Sequence, residues 1–224
     1  MSSKKEIAYL TKSSEIASSV LKKCIKNIKN FKNELDVVLF LKKETKNHGC
    51  TLAFKPIVGI ASNAAVIHHK PTNRKLKKGF LILDFGVKYN GYCSDITRTV
   101  YLGNPSRKEI YFYNLVLNAQ KKALKKIKVG MKCCDVYNIA ANSLGRYKKY
   151  FKHRLGHGVG KRIHESPSLG PKSNRRLKDN TVLTIEPGIY FKKKFGIRIE
   201  DTFLLTKNKV KVLTKVPKKL IIVK

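Results

Sequence analysis

Between residues 4 and 29, apolar side chains return every three or four positions, at Ile7, Leu10, Ile16, Val20, Leu21, Cys24, Ile25 and Ile28, while lysines fill much of the remaining face. That period predicts an amphipathic helix, broken at most once. A second such pattern, with Leu35, Val38 and Leu41 inside Glu34–Asn47, ends at His48-Gly49 in the manner of a C-cap. The pattern then changes. Short branched runs at Thr51–Ile60, Phe80–Val87 and Ser94–Leu102 predict strands, and Asn90-Gly91 between the last two signals a two-residue hairpin. Helical spacing comes back over Ser106–Lys128 and Asp135–Tyr147, followed by strand-like runs at His153–Val159, Val182–Phe191, Gly196–Leu205 and Val210–Val216. The order helix, helix, strands is thus stated twice, with a pair of antiparallel helices expected to cover one side of a sheet.

Composition narrows the picture. A chain of 224 residues, 42% hydrophobic, has room for one ordinary domain with a real core. Its 49 basic and 14 acidic residues give a net charge of +35, and forty of the basic residues are lysines spread along the chain, which reads as a compositional bias. Such a surface attracts polyanions whatever the main task, so weak, nonspecific nucleic-acid binding is expected and no partner is specified. The start, Met-Ser-Ser-Lys-Lys-Glu-Ile, has no apolar leader, and no apolar run is long enough to span a bilayer. A soluble, cytoplasmic chain without membrane attachment is the expectation. Five cysteines, an odd number without finger-like spacing, argue against a disulfide framework or zinc ribbon.

Acids are scarce and are poor strand formers, yet Asp84, Asp95, Glu186 and Glu200 fall in or beside the most strand-like segments. Their surroundings repeat: Asp84-Phe-Gly-Val with Asp95-Ile-Thr, and Glu186-Pro-Gly-Ile with Glu200-Asp-Thr, at separations of 11 and 14 residues that suit a tighter and a looser hairpin. With Asn90-Gly91 as the turn, Tyr89 faces Tyr92 and Asp84 faces Thr97, which puts Asp84 and Asp95 on one face. Glu186, Glu200 and Arg198 would share a face of the second hairpin. Carboxylates brought that close need a proton or a cation between them, and four are enough to bridge two divalent ions. Among the six histidines, His157 stands out in its glycine-rich setting, with His164 after it, and His68 beside His69 is a further candidate. His48 and His153 read as structural, since nothing places them near the acids.

Taken together, Phe80–Val87, Gly91–Thr99, Gly156-His-Gly-Val-Gly with His164-Glu-Ser-Pro, Thr184–Tyr190 and Gly196–Thr202 resemble the catalytic domain of Xaa-Pro aminopeptidases and prolidases. These are pita-bread metallopeptidases, a group that includes methionine aminopeptidases. The resemblance covers nearly the whole chain. It implies an α+β fold of two pseudo-symmetric αβ halves around a curved antiparallel sheet, here as a single catalytic domain over residues 1–224 without the N-terminal domain usual in this branch. It further implies that Asp84 chelates one metal, that Asp95 and Glu200 bridge both, and that His157 and Glu186 complete the second coordination sphere. Glu186 would also be the general base. His68 and His164 would line the cleft, one near the scissile nitrogen and the other near the developing oxyanion, in either assignment, and Arg198 would steady Asp95 or a bound substrate.

Oxygen-rich coordination with one imidazole suits Mn²⁺ first, with Co²⁺, Fe²⁺ and Zn²⁺ as alternatives. The expected activity is release of the residue ahead of an N-terminal Xaa-Pro bond from peptides with a free amino end, by a monomer or homodimer. Methionine aminopeptidase and Xaa-Pro dipeptidase activity are alternatives, and a non-catalytic RNA- or ribosome-binding module is the rival from another class. Ile67, where relatives often have Pro, is a small departure that bears on local backbone. The intact set of acids and His157 favours the enzyme.

Overall fold

The computed structural model describes residues 2–224. Helices α1 (Lys4–Lys26) and α2 (Glu34–Asn47) are followed by β1 (Thr51–Leu52), β2 (Ile57–Ile60), β3 (Gly79–Phe85), β4 (Val87–Tyr89), β5 (Tyr92–Cys93) and β6 (Ile96–Leu102). The order then repeats with α3 (Arg107–Lys126), α4 (Cys133–Ser143), β7 (His157–Gly158), β8 (Glu165–Ser168), β9 (Thr181–Ile185), β10 (Gly188–Phe191), β11 (Phe195–Arg198), β12 (Asp201–Leu205) and β13 (Val210–Val212), after which comes β14 (Ile222–Val223). Three helices start on capping boxes, Ser3 with Glu6, Asn33 with Asp36 and Ser106 with Glu109, so three of the scarce acids are spent on helix N-termini.

Each half has its own core. Ile16, Ala17, Val20, Leu21 and Cys24 of α1 with Val37 and Leu41 of α2 pack on Val58, Leu81, Leu83, Phe85 and Val100. Val116, Ala119 and Ala123 of α3 with Val136 and Ala140 of α4 pack on Leu183, Ile185, Phe203 and Leu205. The sheets correspond: β2-β3-β6 run antiparallel in the first half, and β7-β9-β12 do so in the second. This is the α+β arrangement of two like halves that the duplicated pattern anticipates.

The departures are local. Helix α1 is unbroken, and a 3₁₀ turn at Ile28–Asn30 follows it. The predicted helix Asp135–Tyr147 is shifted, ending at Ser143 before a 3₁₀ turn over Gly145–Tyr150, because Gly145 takes a φ of 53°. Of the predicted strand His153–Val159 only His157–Gly158 pairs, and β8 and β14 were not foreseen. β14 runs parallel to β6, the one parallel pairing among the described strands. All five cysteines are free thiols.

The hairpins set the register that matters. Tyr89 faces Tyr92 and Asp84 faces Thr97, with Asn90 and Gly91 at φ 47° and 82° in the turn. Gly86 permits the strands to close there, since a Cβ on it would stand 1.9 Å from the Ser94 carbonyl oxygen. The second hairpin is looser: Phe191 faces Phe195 across three lysines, with Lys193 at φ 60°. Its register, Ile185 to Asp201 and Gly188 to Arg198, puts Glu186 opposite Glu200.

The halves meet where β6 runs beside β11 and β12. Threonine hydroxyls stitch this seam: Thr97 Oγ1 donates to Glu200 Oε2 (2.7 Å), Thr99 Oγ1 to the Arg198 carbonyl (2.8 Å) and Thr202 Oγ1 to the Asp95 carbonyl (2.7 Å). Buried Arg98 locks it, its guanidinium donating to the carbonyls of Thr97, Glu200, Val216 and Pro217 and to Asp201.

Candidate metal centre

Because the seam joins the two acid-bearing hairpins, their four carboxylates converge from opposite halves onto the floor of one cavity of about 620 Å³. Asp84, Asp95, Glu186, Glu200, His157, His68, His164 and Arg198 all line it. Every residue singled out as a site candidate therefore reaches the same space. Asp95, His157 and Glu200 each offer a ligand atom within 4.8 Å of the others. His157 Nε2 lies 3.5 Å from both Asp95 Oδ2 and Glu186 Oε1.

Hydrogen-bond polarity says what this cluster lacks. His157 Nδ1 lies 3.0 Å from the Gly158 carbonyl, which only accepts, so Nδ1 carries the proton and Nε2 turns a lone pair toward the acids. Burial pulls His157 down to about 4, so this imidazole stays neutral. Asp84 Oδ1 is buried without a hydrogen-bond partner among the described residues. Burial, reinforced by their mutual repulsion, raises the carboxyls of Asp95 and Glu186 well above the usual range and that of Glu200 to about 8. Four carboxylates and an imidazole lone pair thus face one another with a single guanidinium among them. Divalent cations are the groups this donor set fits.

A consequence can be measured. Without metal, these acids hold their protons more tightly in the folded chain than in the unfolded one. Their contribution to stability is therefore complete below the ordinary Glu value of 4.5 and is lost as pH rises toward about 8. With a chelator present, the melting temperature should fall across that window, and excess Mn²⁺ should raise it most at the alkaline end. Parallel curves with and without metal would contradict this.

Arg198 corrects one expectation. Its Nη2 donates to Asp84 Oδ2 at 2.6 Å, so the carboxylate that it steadies is Asp84 and not Asp95. Its Nη1 donates to the Tyr190 hydroxyl (2.7 Å), which in turn lies 2.8 Å from His153 Nε2, while His153 Nδ1 faces the Arg154 carbonyl at 2.7 Å. That carbonyl assigns the proton to Nδ1, so Tyr190 donates to Nε2, and the donations run outward from Arg198, through Tyr190 to His153 on one side and to Asp84 on the other. His153, read as structural, therefore lines the cavity with Nδ1 3.8 Å from Glu186 Oε2. Nothing in the periodicity of 151–156 marks it, since that stretch forms neither helix nor strand. Tyr190 did have a signal, because positions 186, 188 and 190 share a strand face. His164 packs edge-on to His157 with ring centroids 4.4 Å apart, and Phe54, Pro56, Ile57, Ile67, Pro71 and Ile163 supply an apolar wall.

The signature of Metallopeptidase family M24 matches residues 8–207. An Xaa-Pro dipeptidase of Pyrococcus horikoshii is 39% identical over 223 residues, which are 98% of this chain and 64% of that protein. Among solved structures, a prolidase from Thermococcus sibiricus superposes with a TM-score of 0.96 at 39% identity, covering 99% of this chain and 62% of its own. An X-Pro aminopeptidase from Thermotoga maritima does so with 0.95 at 32% identity, covering 99% and 64%. The chain thus spans somewhat under two thirds of the length of these relatives.

Proposed function

Because the chain belongs to Metallopeptidase family M24, we propose that it is a metal-dependent aminopeptidase that hydrolyses the Xaa-Pro bond at a free amino end. The observation that carries the reading is the convergence of Asp84, Asp95, His157, Glu186 and Glu200, from both halves, on one cavity, with Arg198 the one cationic side chain in hydrogen-bond contact with these acids among the described residues. These five residues would hold two divalent cations, Mn²⁺ first, which supply the charge that polarises a peptide carbonyl and makes water nucleophilic near neutral pH.

The protein's own groups do the rest. The acidic floor attracts the substrate ammonium. Glu186 takes a proton from the attacking water and passes it to the departing proline nitrogen. His68 and His164 stand at the cavity wall to donate toward the developing oxyanion and to meet the scissile nitrogen. The Arg198–Tyr190–His153 chain holds Asp84 in one orientation. The apolar wall, Phe54 and Ile163 among it, suits a proline ring.

A second reading, Xaa-Pro dipeptidase, is favoured by the named activity of the Pyrococcus horikoshii relative and by the cations at the cavity edge. Lys55, Lys70 and Arg154 line it, are exposed and make no ion pair with an acid among the described residues, which suits a free carboxylate at the far end of a short substrate. A panel of Ala-Pro, Ala-Pro-Ala and Met-Ala-Ser, each with Mn²⁺, Co²⁺ or chelator, separates the readings by mass spectrometry. Metal-dependent loss of Ala from Ala-Pro-Ala supports the aminopeptidase, and cleavage of Ala-Pro alone the dipeptidase. Release of Met only, or no cleavage with any metal, would overturn the Xaa-Pro assignment.

A further inference from the structure

His69 neighbours the cavity histidine His68, but its Nε2 is committed elsewhere, 2.8 Å from Glu34 Oε2. Glu34 opens α2, is fully buried and is not among the residues that line the cavity. It accepts five hydrogen bonds, all from one stretch of chain. Oε1 takes the Ile60 amide and Asn63 Nδ2, both at 2.9 Å, and Oε2 takes His69 Nε2, the Thr72 amide (2.9 Å) and Thr72 Oγ1 (3.0 Å). Burial opposes its charge, but these donors, His69 foremost, hold its carboxyl below the usual range, so it is ionised.

Between β2 and β3 this stretch has no regular structure beyond the 3₁₀ turn Ala61–Ala65. Its path past the cavity, where the run from Ile67 to Pro71 forms one wall, His69 included, is therefore set largely by the Glu34 carboxylate that holds it. A buried carboxylate is costly unless fully satisfied, so its grip is close to all-or-none. Both His68 and His69 line the cavity, but only His69 is tied through its Nε2 to Glu34.

We propose that Glu34, acting through His69, is a positioning residue that sets the place of the His68 ring for bond cleavage; this rests on the peptidase reading above. A displacement of about 1 Å at a catalytic wall costs up to about a hundredfold in rate. Glu34→Gln and His69→Leu should each lower kcat about tenfold or more on the preferred Xaa-Pro peptide, with KM within about threefold and Mn²⁺ affinity by calorimetry unchanged. His69→Gln, which keeps a donor near the Nε2 position, should recover most of the rate.

The decisive test is a double-mutant cycle with His68→Ala. If Glu34 works through His68, then Glu34→Gln or His69→Leu costs nothing further once His68 is gone. Losses that multiply, or a His69→Leu enzyme with full kcat, would overturn the assignment. Should the wild-type protein cleave no peptide with any metal, the peptidase reading falls, and NMR of the His68 ring decides the positioning alone. Ring signals shifted or broadened in His69→Leu and restored in His69→Gln uphold it, and signals identical in all three overturn it.

Discussion

Asp95→Asn should cost at least about 10³-fold in kcat/KM on the preferred substrate, about 4 kcal/mol of transition-state stabilisation, and yet raise the melting temperature of the metal-free protein. Both effects come from one geometry. Asp95 is buried with Oδ2 3.5 Å from the bare Nε2 of His157, in reach of Glu200, and burial followed by repulsion from Glu200, Asp84 and Glu186 raises its carboxyl far above the usual range. An amide of the same shape removes one repelling charge and can donate toward Nε2, which relieves the empty centre. On the proposed reading it also removes an anionic ligand, so cations should bind weakly and hydrolysis should fail. Calorimetric Mn²⁺ titration, thermal melts with chelator and peptide turnover read the three quantities. A variant that keeps its turnover, or a chelated variant that melts lower than wild type, would contradict this account.

Arg98→Leu should destabilise the fold by about 3–5 kcal/mol, a fall of about 6–20 °C in melting temperature for a chain of this size. The guanidinium is 1% exposed and all five of its N–H groups are used, across both halves. Asp201, fully buried, would keep Gln120, Thr214 and Lys218 but lose its closest charge partner. Arg98→Lys should not rescue, because an ammonium cannot span four carbonyls and a carboxylate from one point. Activity should fall in the folded fraction as well, since Arg98 grips the Glu200 carbonyl and Glu200 lines the candidate metal centre. Urea unfolding against wild type measures the effect, and a loss under about 1 kcal/mol would refute the locking role.

How much of this was readable in advance differs from residue to residue. The shared face of Asp84 and Asp95 followed from Asn90-Gly91, because a two-residue turn fixes register and register fixes parity. The looser second hairpin gave no such anchor, so the direct opposition of Glu186 and Glu200 emerges only in the structure. His153 was missed because an irregular stretch has no period to read, and Glu34 because an acid in the first turn of a helix reads as an ordinary capping residue. Arg98 and Asp201 lie inside apolar strands, where the pattern shows burial but not which charge answers which. Helices α1, α2 and α3 were legible to within a few residues from their amphipathic stripes, whereas α4, whose start has no side-chain cap, was misplaced at both ends.

The seam has a consequence for how the molecule can be divided. A cut in the link after β6, anywhere from Gly103 to Ser106, would leave Asp84 and Asp95 on one fragment and His157, Glu186 and Glu200 on the other. Neither piece alone holds the five candidate ligands, so on the proposed reading the capacity to trap a pair of ions would be a property of the joint itself. Complementation by separately expressed fragments would require threonines 97, 99 and 202 and Arg98 to find their partners again before either fragment could contribute.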